Sequence, residues 1–492
     1  MYKAIVYLVL SSLMVACNSS GQPDSTEATP DGYRPAYHYT PEKNWVNDPN
    51  GLVYLDGEYH LFYQYNPYGD TWGHMSWGHA VSKDLKTWEE LPVALEEYPS
   101  ADSSETMIFS GSVVVDSENT SGFFEPGFKN GMVAIYTSHV HRGDVGLAQH
   151  QSLAYSSDKG RTWKYYDQNP VLDLNMKDFR DPNVFRYQGK WKMIVVKPLD
   201  YVAQIYESEN LKDWKLLSEF GKMGDMAKIW ECPSLFEVPV ADSDEKKWVM
   251  LISSAAEDTE FTGMQYFVGD FDGQRFTPQP QEGVFRLDNG KDFYAAIPYN
   301  NLPDSQKNPI IVGWVNNWMY ANQIPASGSR GMFSLPRALS LKKQGDTYIV
   351  VQRPIFKEGI STKTISVKAK DLAGQTFDMP TNSYRLTLTI DLSDAQDFTI
   401  DLLKKDNQST PLRYDAATGK LSLDRTNSGD VAFHEQFPSV ESVSLNPKNK
   451  QLKLDIFADN SVLEIFVNDG EKVLTELVFP GNGTSRVAAK TD

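Results

Sequence analysis

Three acids keep similar company along the chain. Asp48 lies in NWVNDPNG (44–51), Asp181 in FRDPNVF (179–185) and Glu231 in IWECPSLF (229–236), each beside a proline or one residue short of it and each leading into an apolar run. Pro49 fixes its own φ and Gly51 accepts a positive φ, so this is bend chemistry, and rigid backbone aims whatever side chain it carries. Taken singly, each acid reads as a turn or cap residue. Three in one kind of setting point to side chains gathered in one place. Inward carboxylates suit glycoside hydrolysis, in which one acid attacks or activates water, another protonates the leaving oxygen, and further contacts stabilise an oxocarbenium-like transition state. Trp230 and Cys232 flank Glu231 in sequence and are expected to desolvate it and make it the general acid, whereas Arg180 is expected to keep Asp181 ionised. Other chemistries find less support. The eight histidines show no H-x-x-x-H or H-E-x-x-H pattern, and His74 and His79 are awkwardly spaced as a pair, so no metal site is predicted. No G-x-S-x-G, Walker or G-x-G-x-x-G element occurs in a supporting context.

Such acids need a scaffold that brings distant segments together. From Tyr33 to about Pro354 nearly every segment is a short run of β-branched and aromatic residues bounded by Gly, Pro, Asn or Asp. A degenerate repeat runs through it: AVSKDLKTWEEL (80–91), AYSSDKGRTWKYY (154–166), IYESENLKDWKLL (205–217) and, more weakly, FVGDFDGQRFTPQ (267–279). Each is a strand, a polar turn, then an aromatic (Trp88, Trp163, Trp214, Phe276) opening another strand. With a closing stretch at 330–354, these units predict an all-β chain beginning with a five-bladed β-propeller over 33–354, whose first strands converge on a central channel. After a linker at 355–365 the strands alternate apolar and polar residues, which predicts a β-sandwich over 366–492. Within it, IFVNDGE (465–471) reads as a hairpin with an Asp-Gly turn.

A formal charge of −18 excludes the basic footprint of a nucleic-acid binder. Aromatics at 12% fit β-rich cores and sugar stacking equally. The apolar run Ala4–Ala16 is too short to span a bilayer and reads as an export signal over 1–17. Ala16-Cys17 resembles a lipoprotein cleavage junction, so Cys17 is the expected lipidation site, residues 18–32 a flexible tether, and the protein an exported membrane-anchored lipoprotein on the periplasmic or cell-surface face. Cys232 then has no partner for a disulfide.

The motifs WVNDPNG (45–51), FYQYNP (62–67), WGHMSWGHAVSKDLKTWEELPVAL (72–95), FSGS (109–112), FRDPNVF (179–185), ECPSLF (231–236), LDNGKDFYA (287–295) and SVLEIFVNDGE (461–471) together make the chain similar to glycoside hydrolase family 32, the β-fructofuranosidases. The resemblance implies that Asp48 is the nucleophile, Glu231 the acid/base and Asp181 a stabiliser of the fructosyl hydroxyls. It also implies that Trp45, Asn47, Gln64, Trp72, Phe109, Ser110 and Arg180 surround the terminal fructosyl unit. A retaining double displacement would set the two reacting carboxyl groups about 5–5.5 Å apart. The implied function is exo-acting release of fructose from levan or inulin, and from sucrose. An endo-acting levanase, a five-bladed arabinan or xylan hydrolase and a catalytically silent glycan-binding propeller are the alternatives. No cofactor is implied. One departure stands out: where many relatives carry a tryptophan before the arginine of the closing motif, this chain has Ser329 before Arg330, and Trp314, Trp318 or Tyr320 would have to take over the stacking or simply pack in the core.

Overall fold

A computed structural model describes residues 30–491 except 101, 227–228, 256–261, 327, 356–357, 395, 446–449 and 482. Cys17 and the expected signal segment lie outside the described residues, as does most of the tether. Five mainly antiparallel sheets are built from the residues up to 354, each around strands that follow one another in the chain or nearly so. Their innermost strands are Asn44–Leu55, Glu105–Val115, Arg180–Tyr187, Ile229–Pro239 and Tyr294–Pro298. Each innermost strand touches the next, and the fifth touches the first, so the sheets close into the ring of a β-propeller and their edges are protected. Parallel pairing of Ser329–Arg330 with Asn44–Trp45 fastens the closure.

The sequence repeat has a physical basis in the outer turns. Asp84, Asp158, Asn210 and Asp272 each accept backbone N–H bonds from residues two to four positions ahead, so one short polar side chain shapes the same corner in four sheets. The indole N–H groups of Trp163 and Trp214 then close back on carbonyls of their own turns, at Gly160 and Leu211. Apolar faces meet between neighbouring sheets, as where Phe62 and Trp77 pack with Ile108 and Tyr136.

The second unit is a β-sandwich of a five-stranded and a six-stranded sheet around one apolar core. It starts earlier than expected: Thr362–Lys368 pairs in parallel with Ser383–Asp391, so residues 362–365 belong to a sheet and not to a linker. That strand lies at a sheet edge and is mostly exposed, with only Ile365 and Val367 packed on the core, so its alternation is confined to its second half. The hairpin at 465–471 forms as expected, between Val462–Val467 and Lys472–Leu477. The segment after Tyr33 straps the two units together, because the Asp459 carboxylate takes the N–H groups of Ala36, Tyr37 and His38 while Thr40 bonds Gly331 and Ser329.

Candidate active site

All five innermost strands break register at the same level of the ring: between Val46 and Pro49, Phe109 and Gly111, Arg180 and Asn183, Glu231 and Ser234, and Tyr294 and Ile297. A bulge turns a side chain out of the strand's alternation and aims it elsewhere. Here four bulged strands bring side chains to one pocket, and the fifth brings the Tyr294 hydroxyl to Glu231. Pro182 and Pro233 sit inside two of the bulges and Pro49 at the edge of a third, positions at which a proline is tolerated in a strand. The acids therefore lie within strands, at bulges, and not at bends preceding them. Asp181, Cys232 and Ala295 take φ of 64°, 46° and 52°, left-handed conformations that the ring imposes on residues with a Cβ.

The three acids meet in a pocket of about 500 Å³. Asp48 Oδ2 accepts a hydrogen bond from Ser110 Oγ at 2.7 Å and one from Cys232 Sγ at 3.4 Å, while Asn47 Nδ2 donates to Oδ1 at 3.1 Å. Asp181 Oδ2 accepts the Cys232 backbone N–H at 2.9 Å, with Sγ at 3.8 Å, so one residue stands between two carboxylates. Glu231 is held at both oxygens: Arg180 Nη2 and Nε lie 3.0 and 3.2 Å from Oε1, and the Tyr294 hydroxyl donates to Oε2 at 2.7 Å.

Burial sets the charge states of this group. It raises the Asp48 carboxyl above its ordinary range, and the Glu231 charge adds to this, against the bonds from Ser110, Asn47 and Cys232. Asp181 is raised as well, by burial first, and the charges of Glu231 and Asp48 offset part of the opposing pull of Arg180. The expectation that Arg180 keeps Asp181 ionised is corrected: the guanidinium forks toward Glu231 and only its Nε comes to 4.0 Å of Asp181. Burial and the flanking carboxylates push the Cys232 thiol and the Tyr294 phenol well up, so both act as neutral donors. The expected desolvation of Glu231 by Trp230 is also corrected. Strand alternation turns Trp230 the other way, into a core with Phe220 and Phe267, and its indole N–H bonds the Asp225 carbonyl at 2.7 Å.

Asn47, Asp48, Gln64, Trp72, Phe109, Ser110, Arg180, Asp181 and Glu231 all line the pocket. Trp45 does not: it is fully buried beneath, donating its indole N–H to Asn47 Oδ1 at 2.8 Å. Of the three aromatics proposed to replace the tryptophan missing at Ser329, only Trp318 reaches the pocket. Trp314 is wholly buried against Trp45, and Tyr320 lies in the seam with the sandwich. Sequence reasoning missed His139, Gln149, Asp178, Ile229 and Asn322, which also line the walls. His139 stacks on Phe109 with ring centroids 4.3 Å apart, and burial depresses it to about 4, so it is a neutral wall. Gln149 and Asp178 both bind Arg180 Nη1, at 3.2 and 3.0 Å. Asp178 shares a strip of sequence with Asp181 that could have flagged it; the hairpin of His139 and Gln149 carries no signal.

Two family descriptions match the chain: "Glycosyl hydrolases family 32 N-terminal domain" over residues 38–354 and "Glycosyl hydrolases family 32 C terminal" over residues 355–492. Levanase of Bacillus subtilis (strain 168) is 44% identical over 96% of this chain and 70% of its own length. An extracellular exo-inulinase of Aspergillus awamori is 40% identical over 92% of this chain and 90% of its own. The crystal structure of the exo-inulinase from Aspergillus awamori superposes with a TM-score of 0.84 at 37% identity, covering 93% of this chain and 95% of that one. The fructofuranosidase of Schwanniomyces occidentalis complexed with fructose gives 0.82 at 32% identity, covering 95% and 96%.

Proposed function

The chain belongs to glycosyl hydrolase family 32, and from that premise we propose that it removes terminal β-D-fructofuranosyl units from levan or inulin, and from sucrose, with retention of configuration. It is a glycoside hydrolase acting on β-fructosidic bonds of fructans or sucrose. The observation that carries the finer reading is the convergence of Asp48, Asp181 and Glu231 in one pocket, with Arg180 forked onto Glu231. Its volume of about 500 Å³ falls in the range of small-molecule sites, roughly 300–1,000 Å³, and fits a sugar end.

In this reading Asp48 attacks the anomeric carbon of the fructosyl unit while Glu231 gives its proton to the glycosidic oxygen. The carbon–oxygen bond breaks and a fructosyl ester forms on Asp48. Water then yields a proton to Glu231 and its oxygen to the anomeric carbon, which frees fructose and restores Asp48. Ser110, Asn47 and Cys232 hold the attacking carboxylate in one orientation. Asp181, fixed by the Cys232 N–H, faces the same space and takes the sugar hydroxyls. Trp72, 42% exposed, offers a stacking face beside Phe109.

Chromatography of the products from levan, inulin and sucrose tests this reading. Early release of fructose alone supports it. A ladder of oligosaccharides would replace it with endo action, and no product from any of the three would return the chain to glycan binding. Export is part of the proposal, supported by relatives named extracellular. Anchoring through Cys17 rests on the apolar run that ends there. Metabolic labelling with a radioactive fatty acid tests it, with label expected on the protein and lost in Cys17→Ser.

A further inference from the structure

Residues 288–292 (DNGKD) precede the innermost strand of the fifth sheet, yet many of their partners belong to the sandwich. Asn289 and Asp292 donate their N–H groups to the carbonyls of Val473 and Thr475, at 2.8 and 3.1 Å, and Lys291 donates its own to Glu476 Oε1 at 2.8 Å. A Cβ on Gly290 would come within 2.2 Å of the Thr475 carbonyl oxygen, so the two backbones meet at a distance only glycine permits.

Asp292 is the centre of this seam and is fully buried. Its Oδ2 accepts the Leu477 N–H at 2.7 Å and the guanidinium of Arg425, and its Oδ1 accepts the Tyr320 hydroxyl at 2.5 Å. Arg425, from the sandwich, also donates to the Tyr320 hydroxyl at 2.7 Å, approaches Glu476 at 2.8 Å and lies over the Phe437 ring. Burying an arginine with two acids forfeits hydration that apolar packing would not, so stability alone is a weak reason for such a cluster. Geometry gives a stronger one. Two residues beyond Asp292 is Tyr294, whose hydroxyl holds Glu231 Oε2. Arg180 fixes one oxygen of that carboxyl from within the propeller; the other is fixed by a phenol on a strand that pairs with Trp314 in its own sheet but is tied to the sandwich two residues earlier, at Asp292.

We propose that the sandwich domain positions the acid/base: Arg425 locks Asp292, Asp292 fixes the start of the strand that bears Tyr294, and Tyr294 aims Glu231 at the leaving oxygen. Arg425, Asp292 and Tyr294 are positioning residues, and the proposal rests on the reading of Glu231 as acid/base. It gives the second domain a role in the reaction that needs no sugar contact of its own.

The test is a double-mutant cycle of Arg425→Lys and Tyr294→Phe, read as kcat/KM on two substrates. Sucrose has an alkoxide leaving group that needs a proton; p-nitrophenyl β-D-fructofuranoside releases a phenolate that does not. Each single variant should lose about tenfold on sucrose and less than about twofold on the aryl fructoside. The double variant should show the selectivity of Tyr294→Phe alone, because the two act in series. Equal losses on both substrates, or selective losses that multiply in the double variant, would overturn the proposal. Glu231→Gln is the reference: if it fails to discriminate the substrates, the acid/base reading itself is wrong, independently of the sandwich. Tyr320→Phe, which removes one hydroxyl from the same cluster, takes the place of Arg425→Lys in the cycle if that variant does not fold.

Discussion

Arg180 lies 3.0 Å from Glu231 Oε1 through Nη2 and 3.2 Å through Nε, and its remaining nitrogen is tied to Asp178 and Gln149. A single guanidinium thus spans the pocket wall and Glu231, and it is the one Arg or Lys among the described residues lining the pocket. A lysine would bring the charge without the planar fork, and could not serve Glu231 and Asp178 together. Arg180→Lys is therefore expected to lower kcat/KM on sucrose by about 10²-fold, with an unchanged circular dichroism spectrum. A loss below about threefold would show that the charge alone suffices.

The pH profile should report the bonds that hold Asp48. Burial and Glu231 raise its pKa, while Ser110, Asn47 and Cys232 work in the other direction. Ser110→Ala removes the donor at 2.7 Å, leaving burial less opposed, so the folded pKa rises further. In the proposed role of nucleophile Asp48 must be ionised, hence the acidic limb of kcat/KM against pH should move to higher pH. A limb that stays in place while the whole profile drops would assign Ser110 to substrate contact only.

The acids were legible in the sequence because proline marks their bulges locally, and the ring was legible because a polar turn followed by an aromatic recurs in four of the sheets, with Asp or Asn at its corner. What the sequence concealed is non-local or depends on parity. Trp230 flanks Glu231 in the chain, but strand geometry points the two apart, and the bulge that turns Cys232 inward leaves no mark except Pro233. Tyr294 and Glu231, or Arg425 and Asp292, meet only after the ring and the seam have formed. No spacing rule reaches that far. The start of the strand at 362–368 escaped notice for a different reason, since Thr362, Lys363 and Thr364 lie exposed at a sheet edge and carry no apolar signal.

Acid lability should follow from a buried histidine pair. His60 Nδ1 and His79 Nε2 lie 3.0 Å apart in the first sheet, stacked under Phe62. Burial, with Arg161 nearby, lowers His60 to about 4, and burial with His60 beside it lowers His79 well below its ordinary value. Their folded pKa values lie below the unfolded one, so the unfolded chain binds more protons as pH falls from about 6.5 toward 4, and stability is lost over that window, by up to about 1.4 kcal/mol per pH unit for each site. Melting temperature measured at pH 7, 6 and 5 should fall less steeply in His79→Gln than in the parent. Parallel curves would place the acid sensitivity elsewhere.

His38 should produce the opposite dependence on the alkaline side. It sits in the strap, with Nδ1 2.9 Å from Asp459 and Nε2 3.1 Å from Glu464, its side chain fully shielded from solvent. Burial alone would depress it, but the hydrogen bonds and charges of the two acids outweigh burial and raise it to about 9. A folded pKa above the unfolded value means that its contribution is complete below about 6.5 and is lost as pH rises through about 9. Glu464 also binds Arg337, and Asp459 also caps the strap backbone, so neutral His38 would leave both acids less compensated at the seam between the domains. His38→Gln should lower the melting temperature at pH 6 and lower it less at pH 9.5, where the parent has lost the same charge. An equal deficit at both pH values would mean that the strap holds by packing and backbone bonds, with no contribution from the imidazolium.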